Sequence, residues 1–163
     1  MQYKNIFGFD VEWNWKTIGL LAFLAVFPNI MGLYHTTILG VRIHFFQYLI
    51  FLAAIIYGPL GGAISGLFGS FYTALALHNP YVIVGNIILG FMAGFFVRHK
   101  LNVILAVLAA YSIQLPWLWV TDIYFAGMPV KAVQGIVIAL LISNVIWAIV
   151  AGWTYKSVKA LVF

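Results

Sequence analysis

The chain contains no cysteine, which removes disulfides, thiolate nucleophiles and cysteine-ligated metals from consideration. It is nearly as poor in charge: only 7% of its 163 residues are charged, and three of those are acidic. Soluble domains carry roughly 25% charged residues, so this chain has too few to cover a surface against water. General acid–base catalysis draws on positioned pairs of ionisable groups. Asp10 and Glu12 stand within residues 1–16, which leaves Asp122 alone in the rest of the chain. The phosphate-cradling G-x-x-x-x-G-K-[ST] and the zinc-binding H-E-x-x-H patterns are both missing. The chain is therefore expected not to be an enzyme, to hydrolyse no ATP itself and to carry no cofactor.

What is present is apolar. Hydrophobic residues make up 65% of the chain, and the mean hydropathy is +1.09. A helix needs roughly 20 residues to cross a bilayer, so short loops allow six crossings. The expected architecture is an all-α integral membrane protein, a compact bundle of six transmembrane helices forming a single membrane domain over residues 1–163. Residues 1–16, with Phe7, Phe9, Trp13 and Trp15 among polar neighbours, read as an interfacial lead-in rather than a cleavable signal. The six spans fall at about 17–33, 43–57, 60–77, 81–97, 101–120 and 131–155. Pro28 is expected to kink or end the first. The run from Phe45 to Leu77 is too long for one crossing and turns back at Gly58-Pro59 in a tight, charge-free hairpin. Residues 121–130, with Asp122, Gly127 and Pro129, read as a loop.

With the N-terminus inside, Lys4, Lys16, Arg98, Lys100, Lys156 and Lys159 gather on one side, and Arg42 and Lys131 on the other. Positive charge favours the cytoplasm. A multi-pass protein of the plasma membrane with both termini cytoplasmic is expected. The net charge of +5 then belongs to membrane borders, and no nucleic-acid partner is implied.

Two sets of residues stand out. Gly58, Gly62, Gly66 and Ser70 recur every four residues, as do Gly90 and Gly94, and Ala148 and Gly152. Small side chains let helices touch in lipid, so most of these read as internal packing. Gly19, Ala22 and Ala25 of the first span could instead dock a partner. The second set is polar and sits towards the outer ends of the spans: Arg42, His44, Gln47, Gln114, Asp122 and Gln134, with Asn86 and Asn144 deeper. Polar residues in lipid face cavities or other helices. With Tyr72, Tyr81, Trp117 and Trp119 at similar levels they outline a pocket with aromatic walls and a few hydrogen-bonding groups, suited to a planar heterocycle. His35, His44, His78 and His99 read as caps at helix ends rather than as a metal site.

Residues 40–97 carry a more specific pattern. Gly58-Pro59-Leu60-Gly61-Gly62-Ala63-Ile64-Ser65-Gly66-Leu67-Phe68-Gly69, followed by Pro80, Gly90 and Gly94, resembles the junction of helices two and three, and the proline-led fourth helix, in the substrate-binding S components of energy-coupling factor (ECF) transporters. The chain departs from that pattern in the first helix, where Ala22 and Ala25 are three rather than four apart, and at Ser70, where an acid is common. The resemblance implies a membrane subunit that binds a vitamin-like micronutrient from outside. It also implies partners: a transmembrane coupling subunit and two cytoplasmic ATPases. The alternative is a stand-alone small-molecule transporter or channel working without an ATPase. The substrate stays open at this level, because Asp122 suits a cation whereas Arg42 and Lys131 suit an acid.

Overall fold

The structure, a computed structural model, describes residues 7–9, 11–38 and 41–163, with side chains at all of these except 35–38 and 41–43. The expectations for Lys4 and Asp10, and for the side chains of His35 and Arg42, lie outside the described residues.

Among the described residues the regular structure is helical apart from one short hairpin. Helix α1 spans Trp15–Gly32, and strands β1 (His35–Ile38) and β2 (Val41–His44) pair antiparallel. Then follow α2 (Phe46–Tyr57), α3 (Pro59–Phe68), α4 (Phe71–Leu77), α5 (Tyr81–Arg98) and α6 (Val103–Val120). A π-helical turn, Thr121–Phe125, continues α6, and α7 (Val130–Ala160) closes the chain. Four of these helices are long and apolar enough to cross a bilayer: α1, α5, α6 with its π turn, and α7. The pair α3 and α4, bent by 43°, makes a fifth. Helix α2 has 12 residues, a rise of about 18 Å, against a hydrocarbon core of about 30 Å. It is the inner helix of the bundle, with only Tyr48 and Ile55 of its residues not fully buried.

Side-chain bonds set the direction of each element. The Tyr57 hydroxyl donates to the Thr17 carbonyl at 2.6 Å, so α2 ends where α1 begins. Ser65 bonds the Leu24 carbonyl and Asn29 bonds the Phe68 carbonyl, so α3 runs with α1. Trp117 on α6 reaches back to Tyr81 at the start of α5. Ser143 on α7 meets Gln47 near the start of α2. The consecutive legs α1, α2, α3–α4, α5, α6 and α7 thus alternate in direction. The chain ends meet at one end of the bundle, where Arg98 donates to the Gly8 carbonyl and the Phe163 ring lies 6.2 Å from that of Tyr57.

The hairpin at Gly58 is tight because Gly58 takes φ +81, and the Arg98 guanidinium packs where a side chain would stand. Arg98 also donates to the Tyr57 carbonyl at 3.1 Å, satisfying the last turn of α2. Helices α3 and α5 then approach to backbone contact. A Cβ on Gly62 would strike the Gly90 carbonyl, one on Gly66 the Asn86 carbonyl, and one on Gly94 the Gly58–Pro59 peptide. The glycine ladder is this seam.

Four expected boundaries are corrected. Residues 43–45 belong to β2 and the turn after it, so α2 starts at Phe46. The span expected over residues 60–77 is broken after Phe68. There Ser70 turns its hydroxyl back to the Gly66 carbonyl, Gly69 seats against Pro28, and Asn29 bridges the gap. Asn29 donates to the Phe68 carbonyl at 2.6 Å and accepts from the Tyr72 amide at 2.9 Å, pairing both groups the break sets free. The expected loop after residue 120 begins as the π turn, closed by the Ala126 amide on the Thr121 carbonyl at 2.8 Å. Pro28 does not end α1, which runs on to Gly32.

Candidate ligand cavity

At the end of the bundle away from the chain termini, α4, α5, α6 and α7 part around a cavity of about 640 Å³. That is within the usual range for small-molecule sites, about 300–1,000 Å³. Apolar side chains of α7, including Ile136, Ile138 and Leu140, form one wall, and Phe46, Val82 and Leu118 add to it. Tyr81 and Trp117 supply aromatic surface. The Trp117 indole N–H donates to the Tyr81 carbonyl at 3.0 Å, which leaves the ring itself to face the cavity. Gly85 lines the cavity too; the Gln114 and Trp117 side chains lie against it where a Cβ would be.

Two polar groups of defined direction reach this space. In the first, the Ser70 hydroxyl gives its proton to the Gly66 carbonyl at 2.5 Å, so it must accept from Asn86 Nδ2 at 2.8 Å. The Asn86 carbonyl oxygen then faces Gln114, which presents its NH₂ across a long 3.4 Å approach. Gln114 Oε1 is left over, buried without a partner. In the second, the Tyr81 amide donates to Asn79 Oδ1 at 3.1 Å, which turns Asn79 Nδ2 onto Asp122 Oδ1 at 2.6 Å. Asn79 acts both as a cap of α5 and as the partner of the carboxylate. The π turn brings Asp122 here, and the Met128 amide bonds its carbonyl at 2.8 Å.

Of the polar and aromatic residues singled out from sequence, His44, Tyr81, Asn86, Gln114, Trp117 and Asp122 line the cavity. The others with described side chains do not line it. Gln47 is buried and pairs with the Ser143 hydroxyl. Tyr72 is exposed and lies across Gly32 of α1. Gln134 faces outward from α7. Asn144 is buried in the bundle, outside the cavity, with neither amide atom partnered. Within the suggested docking set, Gly19 and Ala22 are exposed but Ala25 is buried against the bundle, so the three share no outer face. Among the described residues no group of three or more histidine or acidic side chains is placed to hold a metal ion. Sequence reading missed Asn79, Thr73 and Met128. A buried asparagine just before a proline-started helix is the signal that could have found the first.

Compared with protein-family models, with curated proteins and with solved structures, the chain matches none.

Proposed function

We propose that this protein is the substrate-binding membrane subunit of an ATP-driven, ECF-type importer for a vitamin or related heterocyclic micronutrient. The observation that carries the reading is the cavity at the end opposite the chain termini. It is large enough for such a molecule, walled by Tyr81 and Trp117, and bordered by the Asp122 carboxylate. With Arg98, Lys100 and Lys159 at the other end, the positive-inside rule puts the termini in the cytoplasm and opens the cavity outward. In this reading α2 is the second of six crossings, sheltered from lipid by its neighbours, and α3–α4 is a bent third. The chain lacks a phosphate-binding loop, so energy comes from partner ATPases through a coupling subunit. Exposed Gly19 and Ala22 leave part of α1 open to that subunit.

The test is to denature the purified protein and identify the released small molecules by mass spectrometry. A near-stoichiometric heterocyclic compound, lost in Trp117→Ala at about tenfold lower affinity, is the expected result. Solute flux in liposomes that hold this chain alone, without any ATPase, would overturn the reading in favour of a stand-alone transporter.

A further inference from the structure

The cavity's polar groups differ in what they still need. Gln114 is 4% exposed and Asp122 5% exposed, so neither is served by bulk water. The hydrogen-bond order from Gly66 through Ser70 and Asn86 commits the Gln114 NH₂ to Asn86, and the Gln114 oxygen is enclosed by the protein, out of a ligand's reach. Asp122 receives one side-chain hydrogen bond, from the neutral amide of Asn79, and no cation contacts it among the described residues. A carboxylate has about four acceptor sites. The group with capacity left for a ligand is therefore Asp122, an acid; His44 also lines the cavity and is engaged in contacts of its own. The Trp117 N–H, a donor that might have balanced the carboxylate, is already used on Tyr81. The Thr73 and Tyr81 hydroxyls can serve either way.

We propose that the substrate is a cationic heterocycle, or a neutral one with an N–H donor, that pairs with Asp122, and that the cavity rejects carboxylic acids. The inference rests on the binding-subunit reading and decides the question the sequence leaves open, whether the cavity suits a cation or an acid. An acid ligand would set its carboxylate beside that of Asp122 in a water-poor site, where unpaired like charges are strongly unfavourable.

The experiment is calorimetric titration of the purified protein with individual probes: thiamine as a cation, riboflavin as a neutral N–H donor, and biotin, nicotinate, pantothenate and folate as acids. Wild-type protein is expected to bind a cationic or neutral probe at least tenfold more tightly than any acid. In Asp122→Asn the amide still accepts from Asn79, so the local bond survives. Cation binding should fall about tenfold to hundredfold, while acids gain. That inversion of preference is something a folding defect does not produce, and the wild-type ranking needs no variant at all. Preferred binding of an acid, or a cation affinity that ignores Asp122→Asn, overturns the inference and leaves the binding-subunit reading standing. Binding of none of the six probes counts against the binding-subunit reading itself.

Discussion

The two halves of α5 do opposite things with the same neighbour. In the half that ends at Arg98, Gly90 and Gly94 let the α3 backbone close in until no side chain fits between them. In the half that starts at Tyr81, the partner leg breaks at Gly69-Ser70 and swings away by 43°, and the space it vacates is the cavity. Asn86 sits at the change-over. Its backbone carbonyl touches Gly66 on the seam, while its side chain joins Ser70 to Gln114 at the cavity floor. One helix pair thus provides a rigid base and a recessed site, to which the short connections add His44, Asn79 and Met128. Rigid elements position binding groups more tightly than loops do, so the seam is what lets a small bundle hold a defined set of polar groups.

The comparison breaks most readily at the seam. Gly62→Val and Gly90→Val each drive a branched side chain into a facing carbonyl, and overpacking at such contacts costs about 3 kcal/mol. We expect a clear fall in the melting temperature of the detergent-purified protein. Gly19→Ala, with no atom within 4 Å of the new Cβ, should leave it within about 0.5 kcal/mol of wild type or slightly above. Equal melting of Gly62→Val and Gly19→Ala would show that the seam is not a close-packed contact. The next effect belongs to the bend. Asn29→Ala removes the side chain that pairs the Phe68 carbonyl and the Tyr72 amide. A loss of about 2 kcal/mol is expected, together with faster hydrogen exchange at the Tyr72 amide. Unchanged exchange there would mean that the bend is held by something else.

The seam was legible from sequence because its signal is local: glycine at every fourth position has few other uses in a lipid-facing helix. The site was legible only in part. Polar residues in an apolar run advertise that they need company, and hydropathy finds Asn86, Gln114 and Asp122 equally well. It does not say which partner each one meets. Gln47 and Asn144 carry the same signal, yet one is satisfied by Ser143 and the other is closed off within the bundle. The break after Phe68 was invisible because it depends on Asn29, 39 residues earlier in the chain, to satisfy the freed backbone. The π turn was missed for a related reason. Nothing in Thr121–Phe125 forbids a loop, and it is the bond from Ala126 back to Thr121 that extends the leg and puts Asp122 at the cavity.

The smallest expected effect separates two amides that sequence reading treated alike. Gln114 and Asn144 are both buried, and both carry side-chain atoms without partners. Gln114 borders the cavity, where its NH₂ faces Asn86, whereas Asn144 does not. Replacing a buried unpaired amide by an apolar group of similar shape removes a desolvation penalty. Asn144→Leu is therefore expected to raise stability by about 1 kcal/mol and to leave ligand affinity alone. Gln114→Leu removes the same kind of group but also strips Asn86 Oδ1 of its donor and so loosens the cavity floor. Its melting point should not rise, and affinity should drop about tenfold. Paired thermal melts and titrations with the molecule released from the wild-type protein read both quantities. A ligand that is lost from Asn144→Leu and kept by Gln114→Leu would move the binding site off the cavity and onto the inner face of α7.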